Sequence, residues 1–182
     1  MYRESCCTYH SYYPMQISWN PNNWGHHHWH PYYYHINYHN WSSSHGNIPL
    51  TDYGPRPFVV NIEQASKQNN TFRTALWTGK HFQVTLMSIN VGDDIGLEVH
   101  PNTDQFIRIE EGQALVQMGD SRERLDFQQM AIDDYAIMIP AGKWHNITNM
   151  GNTPLKVYVI YAPPEHPHGT VHQTKADARA AD

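Results

Sequence analysis

The chain has 182 residues and a formal net charge of −5, from 12 Lys and Arg against 17 Asp and Glu. This length suits one ordinary domain with an additional segment and excludes a large multidomain protein. An acidic chain without clustered cations is a poor ligand for phosphate backbones, so no nucleic-acid partner is expected. No apolar run approaches the roughly 18 residues of a membrane helix, and the N-terminus lacks a signal-peptide pattern. We therefore predict neither a membrane partner nor a signal peptide.

The first 45 residues differ from the rest in composition. They hold eight of the 12 tyrosines, four of the six tryptophans and eight of the 14 histidines, but one Arg and one Glu. Their aromatic runs follow neither strand alternation nor a helical period, so we predict a low-complexity arm over residues 1–45. Residues 46–57 contain three prolines and two glycines and are predicted to form a linker.

From Phe58 onward the composition is that of a β-rich domain. Short segments rich in branched and aromatic residues alternate with turn signals, and only 63–69 and the tail over 175–182 have helix-forming patterns. This arrangement predicts an all-β sandwich or barrel over residues 58–174. The ten predicted strands are 58–62, 72–77, 82–89, 97–100, 105–110, 114–118, 124–127, 135–139, 144–148 and 155–161.

Four polar side chains stand out on these strands. Glu98 and His100 lie two residues apart on one predicted strand, so both side chains point to the same face. Gln105 opens the next strand, and His145 begins another after an apolar strand and a Pro-Gly turn. Carboxylate, imidazole and amide donors on neighbouring strands can meet at one metal ion, with Glu98, His100, Gln105 and His145 as the candidate ligands.

These residues carry a resemblance to the cupin superfamily. Its first motif, Gly-x5-His-x-His-x4-Glu-x6-Gly, aligns without a gap on Gly92, Glu98, His100, Gln105 and Gly112. Its second motif, Gly-x5-Pro-x-Gly-x2-His-x3-Asn, aligns on Asp134, Pro140, Gly142, His145 and Asn149. The resemblance implies a double-stranded β-helix, also called a jelly-roll barrel, with one divalent ion near its mouth. It also implies a homodimer, and it leaves Zn, Mn, Fe, Ni and Co open as the metal.

Three positions depart from the family pattern. Glu98 stands where the first histidine is expected and Gln105 where the glutamate is expected, so the set keeps one negative charge. Asp134 replaces a glycine, which bears on the geometry of a turn. Gln105 has two interpretations, a fourth ligand or a residue that orients the others. Glu98 is the candidate catalytic residue, either holding the ion or acting as a base.

The resemblance leaves the reaction open. Residues 163–172 are similar to the extension of cupins of the mannose-6-phosphate isomerase-like group, which implies a sugar or sugar-phosphate isomerase. The two-histidine, one-carboxylate set instead suits a dioxygenase. Arg108 and Lys143 are the cations nearest to the motifs, but the sequence gives neither a role in phosphate recognition. In either case a small molecule is the expected substrate.

The arm supports an alternative that is not enzymatic. Its Tyr-, His- and Cys-rich composition resembles that of bacterial spore coat and exosporium proteins, in which such segments support cross-linking. Cys6 and Cys7 would then form intermolecular bridges, because neighbouring cysteines close an internal one only with strain. On this view the partners are other copies of the chain and other spore-layer proteins. The expected location is accordingly the bacterial cytoplasm or the spore surface.

Overall fold

The computed structural model describes residues 46–181, and the predicted arm lies outside the described residues. Over this range the chain forms nine β-strands and two short α-helices. The strands are β1 Arg73–Thr78, β2 Gln83–Ile89, β3 Asp104–Glu111, β4 Gln113–Gly119, β5 Phe127–Ile132, β6 Ala136–Ile139, β7 Trp144–Asn149, β8 Leu155–Ala162 and β9 Val171–His172. The helices are α1 Ile62–Gln68 and α2 Lys175–Ala181.

The strands form two antiparallel sheets that enclose one core. The larger sheet has the order β6-β3-β8-β2-β1-β9, and the smaller has the order β5-β4-β7. Buried aliphatic side chains from both sheets, among them Ile107, Val116 and Ile147, form a single cluster between them. Alternate side chains of β3, β4 and β8 face this cluster, as expected for a rolled sheet. The predicted all-β jelly-roll fold is therefore confirmed.

A second, smaller cluster covers the outer face of the large sheet. Ala65 of α1 packs there against Leu76 and Leu86. The predicted strand over 58–62 is wrong, because residues 58–61 pair with neither sheet and Ile62 begins α1. The alternating apolar residues of this segment pack on the outer cluster instead of entering a sheet.

Other predicted boundaries also change. The predicted strand over 97–100 is reduced to a single bridge between Glu98 and His145. The predicted strand over 124–127 begins only at Phe127 and continues to Ile132, because this largely exposed stretch has no alternation of polar and apolar residues. Strand β9 was not predicted, since two residues carry no periodic pattern.

The helical prediction for the C-terminal tail is confirmed. Ala178 of α2 is buried in the main core, and Lys175 Nζ lies 2.7 Å from Asp93 Oδ1 and 2.5 Å from Asp94 Oδ1. A helix this short is unstable alone, so these contacts hold it against the barrel. Neither helix of residues 46–181 has the length and apolar character needed to cross a membrane.

Candidate metal centre

A pair of backbone hydrogen bonds brings two distant residues side by side. Glu98 N donates to His145 O at 3.0 Å, and His145 N donates to Glu98 O at 2.9 Å. His145 is the second residue of β7, whereas Glu98 lies on a short extended segment beside it. Residues paired in this way place their side chains on the same face, next to each other.

His100 completes a cluster with this pair. Its Nε2 lies 3.3 Å from Glu98 Oε1, and His145 Nε2 lies 3.4 Å from the same oxygen. One donor atom from each residue lies within 4.8 Å of the other two. The His145 side chain is 1% exposed, His100 12% and Glu98 23%, so the cluster opens to solvent on the Glu98 side.

The second nitrogen of each imidazole is already engaged. His145 Nδ1 lies 2.9 Å from the Lys143 carbonyl oxygen, and His100 Nδ1 lies 3.0 Å from Glu165 Oε1. Thr103 Oγ1 donates in turn to Glu165 Oε2 at 2.8 Å. With the proton on Nδ1, each Nε2 would be free to bind a metal ion, which is the arrangement that orients metal-binding histidines.

The donor set fits a divalent cation. His100 Nε2 and His145 Nε2 are buried and make no hydrogen bond to any described residue, although Glu98 Oε1 is near both. Atoms that each lie ~2.1 Å from one ion are about 3.0 Å apart at octahedral and 3.4 Å apart at tetrahedral angles. The observed 3.3 and 3.4 Å separations agree with that spacing. A cation between them would satisfy two orphaned lone pairs and one carboxylate.

The same contacts shift two pKa values. Burial by itself would raise the pKa of the Glu98 carboxyl, but the imidazoles of His100 and His145 lower it to about 2. Burial opposes protonation of His100, whereas Glu98 and Glu165 raise the pKa of its imidazole. Glu98 is thus ionised at neutral pH, and its negative charge favours a cation at this point.

Gln105 lies in the barrel interior on the opposite sheet. It pairs with Tyr161 of β8 and Ile139 of β6, which both belong to the main core, and it is 4% exposed. Its side-chain oxygen is buried and has no hydrogen-bond partner among residues 46–181. The three other candidates meet in one cluster, and the role of Gln105 as fourth ligand or orienting residue stays a prediction.

The remaining motif departures and cations have structural explanations. Asp134 adopts φ 69°, so it keeps the left-handed turn that the family glycine would form. Its carboxylate pairs with Arg108, which also contacts Glu110. Lys143 pairs with Asp120. Both cations are therefore neutralised by carboxylates away from the cluster.

Sequence reasoning missed three residues near the centre. Glu165 and His166 lie in residues 163–172, to which the sequence analysis assigns no part in the site. The adjacent Glu and His were the only sequence signal that this segment carries polar residues suited to a site. Arg73 is the first residue of β1 and is 3% exposed. Its burial could not be predicted from the sequence, because a single cation at the end of a strand is usually exposed. His166 presents its ring edge to Tyr161 with the centroids 5.0 Å apart.

Comparisons with known proteins agree with this architecture. The family described as "Cupin domain" matches residues 85–161. Protein YrkC of Bacillus subtilis (strain 168) is 69% identical over 136 residues, which cover 75% of this chain and 73% of YrkC. Protein L612 of Acanthamoeba polyphaga mimivirus is 40% identical over 115 residues, covering 63% of this chain and 70% of L612.

A solved structure is similar to this chain in both sequence and fold. The crystal structure of BH2720 from Bacillus halodurans is 68% identical and superposes with a TM-score of 0.72. The match covers 72% of this chain and 99% of BH2720. Because the sequence match, the two-sheet barrel and the motif geometry agree, this chain belongs to the cupin superfamily.

Proposed function

We propose that the protein is a metal-dependent cupin enzyme acting on a small oxygenated molecule beside Glu98, His100 and His145. One observation carries the proposal: three donor atoms face one point, and two of them are buried imidazole nitrogens that make no hydrogen bond within residues 46–181. A structural histidine is normally satisfied on both nitrogens, so this arrangement favours a ligand set over a packing role. The solvent-exposed edge at Glu98 supplies access for a substrate.

The side chains of this centre have separate roles. His100 and His145 would hold the ion through Nε2, while Glu165 and the Lys143 carbonyl fix the ring orientations. A divalent ion bound here would supply Lewis-acid polarisation of a carbonyl or hydroxyl oxygen of the substrate. Glu98 Oε1 lies 3.3 Å from His100 Nε2 and 3.4 Å from His145 Nε2, which favours Glu98 as a ligand of the shared ion over Glu98 as a proton acceptor.

Two reaction classes follow from this ligand set. A redox-inactive ion supports isomerase chemistry on a sugar-like substrate, whereas iron supports a dioxygenase reaction. Arg108 and Lys143 do not support a mannose-6-phosphate isomerase-like activity, because both pair with carboxylates and neither is free to bind a phosphate group. The identity of the native metal therefore separates the two classes.

Elemental analysis of untagged protein tests the proposal. We expect about one divalent ion per chain in the wild type beyond any ions held by the His-rich arm, and a loss of that ion in Glu98→Gln and His145→Ala. The exposed His81 provides a matched control, because His81→Ala removes an imidazole that contacts none of the three donors. The arm is common to all four proteins, so differences between them report the centre alone. Equal metal content in all four would contradict the proposal.

A further inference from the structure

The barrel interior contains a buried cation whose charge no described carboxylate neutralises. Arg73 is 3% exposed, and its Nε and Nη1 atoms have no hydrogen-bond partner within residues 46–181. Lys156 offers a contrast at 5% exposure, because its ammonium donates to the Asn69 carbonyl and to Asn70 Oδ1. A buried guanidinium with two unpaired nitrogens is costly unless an anion completes it.

Strand register shows that Arg73 points into the barrel. Its neighbour Thr74 pairs with Leu86, which packs on the outer cluster under α1. Arg73 therefore shares the opposite face with Ala75, whose partner Thr85 lies beside Val159 of the main core. The alternation of side chains along β1 sends the guanidinium inward.

Tyr161 links this cation to the metal centre. Arg73 and Tyr161 lie close enough to interact electrostatically, and burial raises the pKa of the Tyr161 phenol to about 12, so the phenol stays protonated. The Tyr161 ring meets His100 edge-on at 5.8 Å and His166 at 5.0 Å between centroids. The phenol thus stands between Arg73 and one of the candidate metal ligands.

Further unsatisfied polar atoms lie on the same inner face. Thr85 Oγ1, Gln105 Oε1 and His166 Nε2 are all buried without a hydrogen-bond partner in the described range. Burial, followed by the charge of Arg73, lowers the pKa of His166 to about 3, so its imidazole is neutral. Buried polar atoms are nearly always paired in folded proteins, and such a group of exceptions indicates that polar atoms of a bound molecule or of ordered water complete them.

We infer that Arg73 and Tyr161 form a carboxylate subsite, and that the substrate is a small organic carboxylate spanning from Arg73 to Glu98, His100 and His145. This inference rests on the proposed function for the metal-facing end of the molecule. The guanidinium offers unused N–H donors on Nε and Nη1, and a charge-assisted hydrogen bond from either to a carboxylate oxygen would be strong. One positive charge balances one carboxylate, whereas a phosphate group carries about −1.5 to −2 and would remain uncompensated beside Arg73.

Calorimetric titration of the full chain tests the subsite. The probes are acetate, malonate and succinate, their uncharged amides acetamide, malonamide and succinamide, and inorganic phosphate. Each is titrated into metal-loaded and EDTA-treated protein, and metal content is measured before and after. We expect at least one carboxylate to bind the wild type, while its amide and phosphate bind about 10- to 100-fold more weakly. The amide lacks the negative charge that strengthens hydrogen bonds from Arg73, and phosphate carries more negative charge than Arg73 neutralises.

Two variants separate the subsite from general charge effects. Arg73→Gln should weaken carboxylate binding about 10- to 100-fold while its metal content equals that of the wild type. Arg124→Gln removes the same charge from an exposed ion pair with Asp126 and should bind like the wild type. If Arg73→Gln does not fold, Arg73→Lys replaces it; this variant keeps the charge but loses the planar guanidinium donors, and it should also weaken binding.

The outcomes distinguish this inference from the proposed function. Absence of metal from the purified wild type would refute the metal centre. Arg73-dependent binding of a carboxylate to EDTA-treated protein would still support the subsite. Conversely, a metal-loaded protein that binds no carboxylate better than its amide would refute the subsite and leave the metal centre standing. Unchanged carboxylate affinity in the Arg73 variant, or tighter binding of phosphate than of every carboxylate, would also overturn it.

Discussion

The two ends of the barrel interior are built on different principles. At one end Ile89, Ile109 and Leu155 are at most 1% exposed and belong to the main apolar cluster. At the other end His100, His145 and Arg73 keep buried nitrogen atoms that no described residue satisfies. Apolar burial stabilises a fold at roughly 25 cal/mol per Å², whereas unsatisfied buried polar groups cost about 1–3 kcal/mol each. The comparison indicates that the first end provides stability and the second is kept for binding.

The largest effect is expected at the apolar end. Ile109 is fully buried, so Ile109→Ala should lower the free energy of unfolding by roughly 2–5 kcal/mol through lost packing and a residual cavity. Urea denaturation measures this change, and Val91→Ala at a 54% exposed site serves as the control. Metal content per folded chain should not change in Ile109→Ala. A decrease in the free energy of unfolding of less than about 1 kcal/mol would contradict the view that the apolar end provides the stability.

The next effect concerns the outer support of the metal centre. Glu165→Gln keeps the size of the side chain but removes the carboxylate that accepts from His100 Nδ1 at 3.0 Å. We expect metal affinity to fall about 10- to 100-fold, as is usual when the partner of a ligating histidine is altered. Competition with a chromogenic chelator measures the affinity, with the exposed Glu123→Gln as control. Equal affinities in the two variants would show that Glu165 does not position His100.

The segment that carries Glu165 and His166 is anchored by one buried carboxylate. Asp52 is 1% exposed in its side chain, and it accepts hydrogen bonds from Thr78 Oγ1 at 2.6 Å and from Gly169 N at 2.9 Å. Burial by itself would raise the pKa of Asp52, but these hydrogen bonds lower it below its ordinary value of 3.8. A lowered pKa in the folded state means that this stabilisation is complete above about pH 4 and is lost as pH falls through the folded-state value.

Substitution of Asp52 should reveal that dependence. Asp52→Asn is expected to cost about 1–3 kcal/mol at pH 7, because hydrogen bonds to a charged acceptor are lost. The difference from the wild type should shrink as pH falls below about 3, where the wild-type carboxyl is also protonated. Thermal or urea unfolding as a function of pH measures it. A difference that stays constant from pH 7 to pH 2 would exclude the carboxylate charge as its cause.

The smallest effect is expected at the polar end and has the opposite sign. Thr85→Val removes a buried hydroxyl that has no described partner and keeps the shape of the side chain. The free energy of unfolding should therefore rise by up to about 1 kcal/mol. Thr78→Val is the matched control and should destabilise, since the Thr78 hydroxyl donates to Asp52. A destabilised Thr85→Val would show that the hydroxyl is satisfied in solution, for instance by an ordered water.

Much of the fold was predictable because its signals are local. Eight of the ten predicted strands correspond to observed strands, including β2, β3 and β8, and the helix predicted over 63–69 is α1 within one residue at each end. Errors arose where tertiary packing overrode a local pattern. The alternating apolar residues of 58–62 pack outside the sheet, and β5 pairs with β4 although Ala131 is its only buried residue.

The sequence by itself determined the barrel and the three converging donors, because the cupin motif spacing records which strands pair and which side chains share a face. Only the tertiary structure revealed Glu165 behind His100 and Arg73 beneath Tyr161. These residues are 65 and 88 positions apart from their partners, and their roles depend on the burial and unmet hydrogen bonds of the folded chain. Such properties have no periodicity along a sequence, so they become visible only once the sheets close around them.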